Sequence, residues 1–290
     1  MVHRSDPSDI FPTGWSRCGD NNFCVSAQWP GPHRFFAVAS GLDQDPLLIA
    51  ETMRQTTMML AHAEFGVPVD DHFVMWDLEY SAVVPGFGLD TASGKVLIDV
   101  TYSDVRRRGR GIAGMRVALR FYRDGALLAT SSGRVSCTSA RAYRRIRRDR
   151  LDVVGRPIRL LPGLAPSMVG RTADADVVLA PTPQPQLWRL RLDTTNPTLF
   201  RRPNDHVPGI VLLEAARQAA VAAAPGQGFL PTSAEIAFHR YVELDCPCWI
   251  EAELAPSADG CGTTVRVRGQ QDGKPVFTSE LTHVHQGGRS

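Results

Sequence analysis

Residues 47–55 read LLIAETMRQ and residues 210–218 read IVLLEAARQ. Laid over one another without a gap, they place Glu51 on Glu214, Arg54 on Arg217 and Gln55 on Gln218. Each Glu has its Arg three residues on and its Gln four residues on, spacings that share one face of a helix. Around that face the stretches and their continuations are almost wholly apolar. Leu47, Leu48, Ile49, Met53, Met58, Met59 and Leu60 stand in the first, and Leu212, Leu213, Val221 and a series of alanines in the second. A helix apolar nearly all round is a buried helix. The spacing predicts helices over 46–65 and 208–224. The first lies between Pro46 and Gly66, and the second stops at Pro225 and Gly226. A charge in a buried helix is costly unless paired, so each helix needs partners in the interior.

Outward from the helices, one pattern is used twice. In the first copy Phe23, Val25, Ala27 and Trp29 alternate, which predicts a strand over 22–30. A turn-rich segment over 31–45 leads to the helix. Strand-like runs follow at 72–84, 95–102, 112–123 and 126–138, punctuated by Gly86, Gly88, Gly94 and the pair Asp124 and Gly125. The second copy has a strand-like run over 187–193, a turn-rich segment, the helix, and runs at 234–244, 249–254, 263–270 and 275–283. Asp272 and Gly273 form its hairpin turn where Asp124 and Gly125 stand in the first. Strand, helix, then four strands suggests an α+β unit whose sheet wraps a central helix. The expected organisation is an N-terminal domain over 1–139, a connecting segment over 140–185 and a C-terminal domain over 186–290. The connection begins Arg-rich at 141–150 and ends at 180–185 as an extended Pro-rich linker. Residues 152–179 have no decisive pattern.

The chain has 290 residues, 43% hydrophobic and 21% charged, enough for two ordinary cores. Its apolar runs fall short of the ~20 residues of a membrane helix, and its start lacks the apolar core of a signal peptide. A cytoplasmic protein with no membrane partner is expected. A net charge of +2 gives no case for nucleic acid. The Arg runs at 106–110 and 141–150 read as solvated faces, or as a docking surface for an acidic partner protein. Of six cysteines, none has zinc spacing, and Cys246 and Cys248 stand too close for a zinc hairpin. Reduced thiols are expected, with no metal and no cofactor.

Each Glu, Arg and Gln set is either a structural pair with a bracing amide or an acid–base site. His206 is a proton carrier or a plain helix-start residue, and Asp205 orients backbone or caps the helix. His62, His72 and His239 read as structural.

Residues 205–218, DHVPGIVLLEAARQ, closely resemble the signature of the A-factor synthase family, the γ-butyrolactone autoregulator synthases of streptomycetes. DPLLIAETMRQ (45–55), AHAEFGVP (61–68) and FVMWD (73–77) resemble that family's first repeat. The resemblance covers nearly the whole chain and implies a tandem hotdog fold, in which each of two curled antiparallel sheets wraps a long helix. The second stretch also resembles the PGVLxxEA run of hotdog 3-hydroxyacyl-ACP dehydratases. Glu214 matches their Glu, but the local motif of their His is missing, so His206 is an imperfect substitute.

The family resemblance implies acyl transfer. A β-ketoacyl group passes from an acyl carrier protein or CoA thioester to the hydroxyl of dihydroxyacetone phosphate, towards a butyrolactone, butenolide or furan signal. In that reading Glu214 is the principal base, of raised pKa, or a polar anchor, and Arg217 or Arg54 binds phosphate or carbonyl. Gln218 supports them. Gly209 allows substrate close to the N–H groups of the helix start. Glu51, Arg54 and Gln55 form a second site or complete the first. A hotdog thioesterase or dehydratase, or a non-catalytic ligand-binding regulator, are the alternatives. Acyl length, donor type and homo-oligomer formation stay open.

Overall fold

The computed structural model describes residues 2–4, 6–31, 33–36, 44–83, 94–108, 111–200, 203–226, 228–256 and 262–284. The expected turns at Gly86 and Gly88, the end of the first Arg run at Arg110, and Cys261 lie outside the described residues. The chain divides into two compact units between residues 151 and 152.

The first unit contains β1 (Pro12–Arg17), β2 (Asn22–Gln28), α1 (Leu47–Ala63), β3 (His72–Ala82), β4 (Lys95–Arg108), β5 (Gly111–Arg123), β6 (Ala126–Thr138) and α2 (Ala140–Arg147). Its strands are antiparallel in the order β1-β2-β4-β5-β6-β3. Strand β2 alternates between exposed and buried, with Phe23, Val25 and Ala27 turned inward onto the helix side. Helix α1 buries Leu47, Leu48, Ile49, Met53 and Leu60. Gly66, at φ +66°, lets the chain reverse past the helix so that the Val67 N–H reaches the Ala61 carbonyl at 3.0 Å. Close approach of helix to sheet depends on Gly133 of β6. A Cβ there would stand 2.7 Å from Met53 Cε and 2.5 Å from the Asp77 carbonyl oxygen.

The second unit contains β7 (Leu179–Ala180), β8 (Leu187–Leu190), α3 (Gly209–Ala223), β9 (Ser233–Phe238), β10 (Cys248–Pro256), β11 (Gly262–Gln271) and β12 (Lys274–Val284). Its antiparallel order is β9-β12-β11-β10-β8-β7, and α3 packs on β10, β11 and β12. Both units therefore have the antiparallel sheet around a central helix that defines a hotdog. The expected hairpin turns are present, with positive φ at Asp124 and Gly125 and at Asp272 and Gly273. That backbone matches the right-handed twist of the flanking strands.

Three local expectations are corrected. Two strands, not one, precede each helix. Strand β1 opens with Pro12, Thr13 and Gly14, and it lies at a sheet edge where Pro is tolerated. Strand β7 has only two residues. The Pro-rich piece is not an extended linker but the turn between β7 and β8. There Thr182 Oγ1 donates to the Leu187 carbonyl (2.6 Å) and accepts the Gln184 N–H (3.2 Å). The run over 234–244 stops at Phe238, because the His239 and Arg240 N–H groups share the Val276 carbonyl and end the ladder. The 141–150 run forms α2 followed by a 3-10 turn, Arg148–Val153.

Candidate active site

The repeated triplet forms a buried cluster in each unit. In the second, Arg171 grips Glu214 with two parallel bonds, Nε to Oε1 at 2.8 Å and Nη2 to Oε2 at 2.7 Å. Arg217 does the same from within α3, Nε to Oε2 at 2.8 Å and Nη2 to Oε1 at 2.7 Å. Gln218 Nε2 donates to the same carboxylate and to the Asp176 carbonyl, and its Oε1 accepts the Val178 N–H. In the first unit Glu51 receives Arg4 Nε (2.9 Å), Arg54 Nε (2.9 Å) and Nη2 (2.7 Å), and Gln55 Nε2 (2.7 Å). Gln55 also binds the Asp9 carbonyl and accepts the Phe11 N–H.

The likeness reaches past the helices. Arg4, Asp9 and Phe11 have the chain spacing of Arg171, Asp176 and Val178, in the stretches RSDPSDIF (4–11) and RTADADVV (171–178). Asp9 is held by His33, whose other ring nitrogen accepts the Phe35 and Phe36 N–H groups. Asp176 is held by Asn196, whose Oδ1 accepts the Thr198 and Leu199 N–H groups. Because His33 Nδ1 accepts, its proton lies on Nε2 and points at Asp9. Arg4, Arg171, Asp9, Asp176, His33 and Asn196 are all absent from the sequence-derived site. The shared Arg and Asp spacing ahead of each sheet was the signal for four of them.

The electrostatics reverse one expectation. Burial alone raises the pKa of Glu214, but Arg171 and Arg217 outweigh it and hold the carboxyl at about 2, against 4.5 ordinarily. Burial likewise opposes, and Arg54 and Arg4 overcome, at Glu51, also held at about 2. Neither has the raised pKa expected of a base. Two guanidiniums within bonding distance stabilise the anion more than dehydration destabilises it. The fork of Arg217 is engaged by Glu214, with its side chain only 3% exposed, whereas the Arg54 side chain is 27% exposed. The buried thiols of Cys137 and Cys248 are pushed up to about 12 by dehydration, which makes them poor nucleophiles at neutral pH.

His206 and Gly209 stand at the start of α3. His206 Nδ1 lies 2.9 Å from Asp205 Oδ1, and the ring meets Tyr241 edge-on with centroids 4.7 Å apart. Its side chain is partly exposed and is not hydrogen-bonded to Glu214. Asp205 thus orients the imidazole instead of capping the helix, and α3 follows Pro208 with no side-chain cap. Helix α1 differs, because Asp45 Oδ1 takes the Leu47 N–H. Next to Gly209, the ring of Phe238 lies 3.5 Å from where a Cβ would stand. His62 binds His3 and the Val67 carbonyl, His72 stacks on Tyr143, and His239 meets Thr278. Among the described residues no three His, Cys, Asp or Glu side chains are grouped to hold a metal, and no helix is long and apolar enough to cross a membrane.

The A-factor biosynthesis hotdog domain matches residues 1–139 and 159–285. A 2-oxo-3-(phosphooxy)propyl 3-oxoalkanoate synthase of Streptomyces virginiae is 48% identical over 96% of this chain and 94% of its own length. The protein of that name from Streptomyces coelicolor is 43% identical over 97% of this chain and 90% of its own. Among solved structures, a 12:0-ACP thioesterase from Umbellularia californica superposes with a TM-score of 0.54 at 14% identity, covering 91% of this chain and 94% of that one. At that identity the likeness concerns the fold.

Proposed function

From the premise that this chain belongs to the A-factor biosynthesis hotdog family, we propose that it is the acyltransferase its relatives' name describes. The product in that name is the ester of a 3-oxo acid with the free hydroxyl of dihydroxyacetone phosphate. The observation that carries the reading is near full-length identity of 43–48% to proteins so named. The acyl donor is a β-ketoacyl thioester of an acyl carrier protein or CoA, and the reaction takes place in the cytoplasm.

The hydroxyl oxygen attacks the thioester carbonyl, the C–S bond breaks, and the hydroxyl proton leaves with the thiol. We assign that proton's transfer to His206, oriented through Nδ1 by Asp205. The uncapped start of α3, with Gly209 as its first residue, suits the negative charge that develops on the carbonyl oxygen. A carboxyl held at about 2 has almost no affinity for a proton at neutral pH, so Glu214 and Glu51 fix the helices and entry segments and do not act as bases. Arg171, Arg217 and Gln218 position α3, as Arg4, Arg54 and Gln55 position α1.

The test is purified protein with a β-ketoacyl thioester, with and without dihydroxyacetone phosphate. Thiol release that requires dihydroxyacetone phosphate, with the ester found by mass spectrometry, is expected. Release of free acid at the same rate without it would make the protein a thioesterase.

A further inference from the structure

The phosphate of the acceptor, and the phosphate on a pantetheine-bearing donor, each need a cationic partner. Arg217 or Arg54 is the sequence-derived choice, yet each guanidinium grips the Glu of its own helix, and that of Arg217 is shut from solvent as well. Elsewhere in the second unit a cleft of about 330 Å³ brings Arg156, Arg159 and Arg189 to one opening. Among the described residues none of these three makes a side-chain hydrogen bond or an ion pair. Arg171 and Arg191 of the same unit, by contrast, are committed to a carboxylate and to backbone carbonyls. Glu243 and Asp245 also border the cleft, and neither is without a partner. Leu161, Leu190, Leu192 and Val242 form an apolar wall beside the cations.

The cleft is braced. The Arg156 N–H binds the Val153 carbonyl, and the Leu164 N–H binds the Leu179 carbonyl at 3.0 Å. Between them Arg191 Nε holds the Leu161 carbonyl at 2.9 Å, while its Nη1 holds Val177 at 2.7 Å. The next residue, Val178, donates to Gln218 of the buried cluster. The extended segment that carries Arg156 and Arg159 is therefore tied through three hydrogen bonds to α3.

We propose that this cleft binds a phosphate ester on a partly apolar body. Planar guanidinium forks match phosphate oxygens. The volume is at the small end of ligand sites, suiting a compact head group and not a long acyl chain. Naming the ester as a substrate rests on the acyltransferase reading; the binding itself does not. Two sources share the chemistry, the triose phosphate acceptor and the phosphopantetheine end of the donor.

The experiment is calorimetric titration of the whole protein and of the double variant Arg156→Glu, Arg159→Glu. Both positions are exposed, so the fold tolerates the change, and circular dichroism checks it. Probes are dihydroxyacetone phosphate with dihydroxyacetone as its control, and CoA with pantetheine as its control. We expect one phosphorylated probe to bind the double variant about tenfold or more weaker, with its unphosphorylated control unaffected. Arg189→Gln should weaken the same probe to a lesser degree. Loss for dihydroxyacetone phosphate assigns the cleft to the acceptor, and loss for CoA assigns it to the donor. Equal binding of both phosphorylated probes to wild type and double variant overturns the proposal. Wild-type protein that binds a phosphorylated probe in this cleft but transfers no acyl group would sink the acyltransferase reading and leave the cleft standing.

Discussion

Glu214 accepts five hydrogen bonds from Arg171, Arg217 and Gln218. Removing its charge would leave two guanidiniums facing each other, with side chains 2% and 3% exposed. Breaking a buried pair in this way costs about 3–5 kcal/mol. Glu214→Gln should lose about that much unfolding free energy in urea. Glu51→Gln should lose less, because the half-buried Arg54 can turn its charge to water; equal losses would show that this exposure brings no relief. The Asp205 and His206 pair makes the opposite forecast. His206→Gln should melt like wild type yet lose about 10²–10⁴-fold in kcat, the usual worth of general-base catalysis. An active His206→Gln beside a folded but inactive Glu214→Gln would return the base to Glu214.

The unit of repetition is longer than a helix. Arg4 and Arg171 each come from an entry segment, pass through a short 3-10 turn, and lead into the first strand of the sheet around α1 or α3. Gln55 and Gln218 then pin that segment to the helix by one donor and one acceptor apiece. The same economy of space appears where α1 meets β6. Gly133→Ala would push a methyl against Met53 and the Asp77 carbonyl, and overpacking of that kind costs about 1–3 kcal/mol. Gly14→Ala in β1, where a Cβ meets nothing within 4 Å, is the matched control and should shift stability by under about 0.5 kcal/mol. Urea midpoints for both variants check this, and equal shifts would remove helix–sheet contact as the reason for Gly133.

For the molecule as a whole, the two carboxylates couple stability to acid. Each has a folded pKa of about 2 against 4.5 unfolded. Between those values the unfolded chain binds more protons, so stability rises with pH. The contribution is fully present above the unfolded value and is lost as pH falls through the folded one. Each cluster accounts for about 3 kcal/mol on this basis. Unfolding free energy should therefore drop steeply between about pH 5 and about pH 2, and the drop should be shallower in Glu214→Gln. A variant with the wild-type slope would mean that Glu214 does not titrate with unfolding.

The helices, the hairpin turns and the doubling of the pattern are legible in the residues themselves. Apolar periodicity, the Asp-Gly pairs and the Pro and Gly at the ends of the first helix act over a few neighbours, so local order reports them directly. The Glu, Arg and Gln triplets are legible as clusters for the same reason. What closes each cluster is not, because Arg171 lies 43 residues from Glu214 and Arg4 lies 47 from Glu51. Only the folded chain brings that second guanidinium to the carboxylate, and it turns an expected base of raised pKa into a fixed anion. The contrast between Arg217, sealed at 3% exposure, and Arg54 at 27% is also settled by packing. The shared Glu, Arg and Gln spacing cannot encode it, since solvent access depends on what the rest of each unit lays over them.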